Sequence, residues 1–248
     1  MINTIVFSIC NPKSLEILLE SLKINGSNIF NNITVFYSSL SNLNEYDELK
    51  THYKHNVKWI QIKDFKTQVL ESLNNDYKYT CFFTDKNILY RKIEVSNNIF
   101  KLFEDNENLF CFSLRLGKNI TECTAMNTKN ILKNEIYINE TFMLWNWSKH
   151  YLDFGFPLSL NGHIFRTNEI LKLTKNTKFN DVDSLEEFWQ NFDNFPKEMM
   201  GSYIQSCLIS NSNLIEYFNE KSSDESKITF ENLTFYNVES LDYNFNKS

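Results

Sequence analysis

Thr80–Arg91 reads TCFFTDKNILYR, and its two halves decide the fold. The first is an apolar run, Cys81-Phe82-Phe83. The second is a polar cluster, Thr84-Asp85-Lys86-Asn87. A continuous apolar run predicts a strand buried within a sheet. A carboxylate at its C-terminal edge falls where open α/β sheets bind ligands. Asp85 and Asn87 flank a single residue, so an extended or turning backbone points both oxygens at one hard cation. Mg²⁺ favours one or two carboxylates plus phosphate oxygens, so an ion placed there would hold a diphosphate. A plainer reading stands beside this one: Asp85 caps the next helix, and Asn87 is a turn residue.

Working outward, strands and helices alternate. Asn3–Ile9 predicts a first strand. Pro12–Lys23 predicts a helix, with Leu15, Leu18, Leu19 and Leu22 at helical spacing, Pro near its start and Asn25-Gly26 beyond its end. Ile33–Tyr37 and Val57–Ile62 predict the second and third strands, with a polar helix, Asn44–Tyr53, between them. Asp64 caps a helix over Phe65–Leu73. Tyr79–Phe83 is the fourth strand, Ile93–Phe103 a helix and Leu109–Leu114 a fifth strand. This alternation predicts an α/β fold, a mostly parallel central sheet flanked by helices, with right-handed crossovers.

After about residue 118 the pattern changes. Residues 119–138 are polar and irregular. Glu140–Trp147 and Leu158–Phe165 predict strands around the Asp153–Pro157 turn. Asn168–Leu173 and Ser184–Phe192 predict helices. Met199–Ile209 fits either a helix or a strand. Phe230, Leu233, Phe235 and Tyr236 predict a docked C-terminal helix within Lys221–Ser248. With no internal repeat and no Gly/Ser linker, one domain is expected over 1–248, with a ligand-binding half to about residue 117 and a second half beyond it.

Composition narrows the function classes. Hydrophobic residues make up 42% of the 248 and charged residues 23%, the balance of a globular protein with a sizeable core. The net charge of −6 argues against non-specific duplex binding, so no nucleic-acid partner is expected. No segment approaches the ~20 apolar residues of a membrane span, and Ile5–Cys10 lacks the flanks of a signal peptide. The five cysteines form no CxxC, which predicts free thiols and a reducing, cytoplasmic setting.

Other residues have plain readings. Arg115, after Phe112-Ser113-Leu114, is either a structural ion pair or a two-pronged phosphate contact. Lys66 reads as a solvated lysine, Asp153 as a turn former before Gly155, and His163 as a hydrogen-bonded core group. If Leu158–Phe165 alternates as a strand, Ser159, Asn161 and His163 share one face.

Together, the strand-helix-strand start, the variant DxD at Asp85-Lys86-Asn87, FSLRLG at Phe112–Gly117 and DFGFPLSLNGHIFRT at Asp153–Thr167 resemble a nucleotide-sugar-dependent glycosyltransferase of the GT-A fold. The likeness is to the small kind found in bacteria and large DNA viruses, and covers roughly residues 3–210. It implies that Ser8, Cys10 and Asn11 after the first strand hold the nucleotide of a UDP- or GDP-sugar, helped by Ser38 and Ser39. It implies Mn²⁺ or Mg²⁺ on the diphosphate at Asp85 and Asn87, with His163 a further metal or phosphate ligand. Asn in the third position is an uncharged oxygen ligand, which weakens metal binding; Lys66 or Lys86 then partly replaces the ion. Arg115 steadies the leaving diphosphate. Asp153, or else His163, is the base that deprotonates a glycan, lipid-linked or protein acceptor in an inverting transfer. A nucleotidyltransferase and a catalytically inactive donor-binding module are the competing classes. The first usually carries a Gly-rich phosphate loop, and Ile9–Ser14 has no glycine.

Overall fold

A computed structural model describes residues 2–9, 11–38, 43–73, 76–93, 96–190 and 197–210. Its elements run β1 (Ile2–Ile9), α1 (Pro12–Asn25), β2 (Asn32–Ser38), α2 (Leu43–His52), β3 (Val57–Gln61), α3 (Phe65–Ser72), β4 (Tyr79–Thr84), β5 (Asn87–Leu89), α4 (Ser96–Asp105) and β6 (Leu109–Ser113). They continue through β7 (Glu122–Cys123), β8 (Thr128–Lys129), β9 (Ile136–Tyr137), β10 (Phe142–Asn146), β11 (His163–Arg166), α5 (Thr167–Lys175), α6 (Val182–Gln190), β12 (Met199–Tyr203) and β13 (Leu208–Ser210). The C-terminal helix expected within Lys221–Ser248 lies outside the described residues, as do Phe192, Cys10 and Ser39.

The main sheet has nine strands in the order β3-β2-β1-β4-β11-β6-β12-β10-β9. β1, β2, β3 and β4 pair in parallel, and so do β6 and β12. β11 is antiparallel to both β4 and β6, and β10 to both β12 and β9. Only β10 and β11 therefore oppose the other seven, and the sheet is mostly parallel. Helices cover both faces. α1, α2 and α4 bury Leu18, Leu22, Tyr46, Ile99 and Phe103 against one face; α3, α5 and α6 bury Phe65, Val69, Ile170, Leu185 and Trp189 against the other. A side chain such as Leu18, which is 0% exposed, contributes about 1.5–3 kcal/mol by burial.

Local chemistry sets the helix starts. Asn11 Oδ1 accepts from Ser14 N–H at 3.1 Å, just ahead of Pro12 in the first turn of α1. Asp64 caps α3 as the sequence predicts, accepting from Thr67 N–H at 3.2 Å.

One expectation is corrected. Leu158–Phe165 is not one strand: β11 begins only at His163, and the chain turns at Leu160–Gly162. Leu158 and Leu160 are 0% exposed, so a packed turn reads in sequence like strand. Gly162 lets the chain enter β11, with φ +72° and a Cβ position already filled by Leu208. Met199–Ile209 resolves into β12 and β13 with a turn between them.

Candidate active site

The C-terminal ends of β1, β2 and β4 lie side by side, and the register brings Phe7 opposite Thr84 and Ile9 opposite Ser38. Asp85 follows β4 directly. Its Oδ2 accepts from Ser8 Oγ and from Ile9 N–H, each at 3.0 Å, while its own N–H donates to Phe7 O. Ser8 Oγ also meets Tyr46 Oη of α2 at 2.8 Å. One carboxylate thus clamps the end of β1 to the end of β4. Asp85 is 7% exposed, and burial pushes its carboxyl up to about 6, outweighing the opposing hydrogen bonds from Ser8 and Ile9.

Asn87 does not pair with Asp85 as a chelate. It is fully buried: its Oδ1 accepts from Thr84 N–H at 2.9 Å, and its amide donates to Asn161 Oδ1 at 2.9 Å. Asn161 Oδ1 also accepts from Thr84 Oγ1 and Ser210 Oγ, both at 3.0 Å. Asn87 belongs to a polar hub that fixes β4, β5 and β13. Among the described residues no three His, Cys, Asp or Glu side chains gather to hold a metal. The group that fits an ion is the Asp85 carboxylate, since Mg²⁺ and Mn²⁺ accept a single protein carboxylate when a diphosphate supplies further oxygens.

Around this edge, Asn11 caps α1 and Ser38 closes β2. Lys66 faces elsewhere: its Nζ donates to Thr177 O at 2.6 Å and sits 5.6 Å from the Phe179 ring, so it braces α3 against the loop after α5.

The second group is built by turns. Ser113 Oγ accepts from Leu116 N–H at 3.0 Å, shaping the turn that projects Arg115 from β6. A 3-10 turn, Leu152–Gly155, carries Asp153; Phe154 O accepts from Trp145 Nε1 at 2.8 Å, and Gly155 packs where a Cβ would strike His150 O. Arg115 Nη1 meets Asp153 Oδ1 at 2.9 Å, and Asn130 Nδ2 donates to Asp153 Oδ2 at 3.2 Å. Arg115 and Asp153 side chains are each 17% exposed, so the pair reaches solvent. Arg115 Nε and Asn130 Oδ1 are buried without a protein partner.

His163 is corrected as a metal ligand and as a base. It is 0% exposed, with Nδ1 3.0 Å from Pro157 O, which places the proton on Nδ1 and leaves Nε2 without a partner. Burial, then the charge of Arg115, lowers its imidazole to about 3. A neutral ring sealed in the sheet reaches neither acceptor nor ion.

Tyr46 and Asn130 complete the two groups and were not legible in sequence, since neither sits in a motif. The four described cysteines, Cys81, Cys111, Cys123 and Cys207, are buried free thiols. No helix among the described residues is long and apolar enough to cross a membrane.

No model of a known protein family matches the chain, and no curated protein matches it. Among solved structures it is similar to S. aureus TarS. Residues 1–349 of that protein give a TM-score of 0.54 at 12% identity, covering 100% of this chain and 73% of that one. A longer TarS chain gives 0.52 at 10% identity, covering 94% of this chain and 41% of that one. The likeness defines a class: the helix-flanked, mostly parallel sheet of the GT-A fold.

Proposed function

We infer that the chain is a glycosyltransferase that moves a sugar from a nucleoside-diphosphate sugar to an acceptor hydroxyl. The observation that carries this reading is Asp85, a buried carboxylate clamped by Ser8 and Ile9 at the C-terminal edge of the parallel strands. The donor class is supported by the likeness in fold to TarS, which has been crystallised in complex with UDP and with UDP-GlcNAc.

In this reading the nucleotide lies over the ends of β1 and β2, beside Asn11 and Ser38. Asp85 would hold a divalent ion, which would supply positive charge to the diphosphate. Arg115 adds a guanidinium toward the charge that builds on the leaving group. Asp153, oriented by Arg115 and Asn130, accepts the proton of the acceptor hydroxyl as that oxygen attacks the anomeric carbon. The new glycosidic bond forms as the bond to the diphosphate breaks, and attack opposite the leaving group inverts the anomeric centre.

A second reading has one observation in its favour. Asn87 is spent on Thr84 and Asn161, and a donor-binding module without turnover fits a weakened ion site. The experiment is thermal-shift titration with UDP, GDP, CDP and dTDP, with and without Mn²⁺, on the wild type and on Asp85→Ala, followed by hydrolysis of the matching nucleotide sugar. A Mn²⁺-dependent shift with one nucleotide, lost in Asp85→Ala, and donor hydrolysis support the transferase. A shift without hydrolysis or transfer supports the module, and no shift with any nucleotide sinks both.

A further inference from the structure

Exposed apolar side chains are not spread evenly over the surface. Among the described residues, most of the large ones open to solvent lie between Met126 and Tyr151. Three of them, Ile131, Ile136 and Tyr151, line one open pocket of about 740 Å³. Tyr151 is 89% exposed, Ile131 59% and Ile136 54%. Large apolar groups left this open and next to one another mark a contact site. The lining also includes Asn146 and Met199, which stand at the edge of the main sheet opposite Asp85. The pocket therefore lies apart from the carboxylate at the strand ends.

The same lining holds Lys129, Lys133 and Lys149, and no Asp or Glu. All three lysines are exposed, and none forms an ion pair with a described residue. Nearby acids are placed otherwise. Glu135 is engaged by Lys118 at 2.7 Å, and Glu198 Oε2 accepts from Asn146 Nδ2 at 2.9 Å. Glu122 lies across the β7–β8 pair from Lys129, so the free charge rests on Lys133 and Lys149. A chain of net charge −6 thus turns a locally positive face outward.

The lysines and the apolar groups share one frame. Lys133 N–H donates to His150 Nε2 at 3.1 Å, and His150 Nδ1 lies 2.8 Å from Asn146 O, which joins the Lys133 loop to the turn that carries Lys149. Asn134 (φ 55°) and Leu152 (φ 56°), both in the lining, bend the chain through left-handed backbone.

We propose that this face docks the chain on a membrane surface that carries anionic lipids. Tyr151, Ile131 and Ile136 enter the boundary between headgroups and acyl chains, which suits a ring with an apolar body and a polar tip. Lys133 and Lys149, with Lys129, meet the charged headgroups while their stems lie along the apolar groups. A folded protein partner fits the face less well. Protein interfaces are depleted in lysine, and these lysines are held in no fixed geometry, which a fluid anionic surface does not require. The docking is independent of the transferase reading above.

The test is sedimentation of the full chain with vesicles of neutral phosphatidylcholine, and of the same lipid with about 30% phosphatidylserine, in about 0.1 M and about 0.5 M salt. The anionic vesicles should bind about tenfold more tightly than the neutral ones, and that preference should fade in high salt. Lys133→Gln with Lys149→Gln should weaken anionic binding about thirtyfold, roughly fivefold for each lysine. Tyr151→Ser should weaken it about threefold. Lys54→Gln with Lys58→Gln removes the same charge from exposed lysines near β3, at the other end of the sheet, and should change binding by less than about twofold. Unchanged melting temperatures verify that the variants fold. Equal binding to both kinds of vesicle, indifference to the Lys133 and Lys149 changes, or an equal loss from the Lys54 and Lys58 pair would each overturn the proposal. A polyglutamate peptide is titrated in parallel; a chain that binds it and ignores the anionic vesicles has an acidic protein as its partner, which also overturns the membrane assignment.

Discussion

The two halves of the site are held by different physics. At the C-terminal edge of the parallel strands, Asp85 is fixed by strand register and by neutral donors, Ser8 Oγ and Ile9 N–H, on strands that the core already positions. Beyond β6, Asp153 is fixed by a guanidinium and an amide carried on turns, beside a left-handed Leu152. The first arrangement comes with the sheet. The second must be assembled from loops, and its ion pair reaches solvent. The position of Asp85 is therefore set by the sheet, and that of Asp153 by the loops that carry its partners.

The sharpest way to break this comparison is Asp153→Asn, which keeps the shape and removes the proposed base. Transfer should fall about 10²- to 10⁴-fold with nucleotide binding retained; a variant that transfers normally would move the base elsewhere. Next comes Asp85→Ala. At a nucleotide concentration about 100 times the dissociation constant, the metal-dependent stabilisation of roughly 2.7 kcal/mol should vanish in the thermal-shift assay.

The two carboxylates should also differ with pH. The folded value of about 6 for Asp85 lies above the ordinary 3.8, so the native state binds that proton more tightly than the unfolded chain does. Relative to Asp85→Asn, the wild type should therefore gain stability as pH falls from about 6 to about 4, with chemical denaturation as the readout. Metal-dependent nucleotide binding should fade over the same descent, because the protonated carboxyl no longer holds an ion.

Asn161→Ala sharpens the view that Asn87 is structural. Thr84, Asn87 and Ser210 lose their shared acceptor, and stability should drop by about 1–3 kcal/mol. Asn87→Ala should cost a similar amount and leave the Mn²⁺ dependence of the nucleotide shift in place; loss of that dependence in a folded Asn87→Ala would restore the paired-ligand reading. The smallest effect is expected from Asp64→Ala, about 1 kcal/mol of melting stability with transfer unchanged.

The parallel half was legible because each element there is a single apolar run or a single helical stripe. TCFF at Thr80–Phe83 became β4, and Leu15, Leu18, Leu19 and Leu22 became the buried stripe of α1. The carboxylate at the strand end was legible for the same reason. The rest was hidden by long-range contacts. Arg115 and Asp153 were both visible as charged residues at turns, but nothing local says that positions 38 apart meet at 2.9 Å. Asn87 sat in the right motif, yet its partner Asn161 is 74 positions away, and that pairing turns a ligand into a brace. His163 looked chemical because it interrupts an apolar run, and burial in the sheet made it inert.

The reversed strand β11 carries a consequence in time as well as in space. It seats between β4 and β6, pinned by Gly162 N–H to Phe82 O and by Leu114 N–H to Gly162 O. In synthesis order, β1 to β4 are complete by residue 84, but the strand that covers the open flank of β4 arrives only with residues 163–166. Until then a nascent chain displays Phe82 and its neighbours on an unpaired edge, the kind that other chains can join. The centre of the finished sheet is thus the last part of the main sheet's first five strands to close, and the chain's exposure to misassembly is set by how quickly one four-residue strand finds its slot.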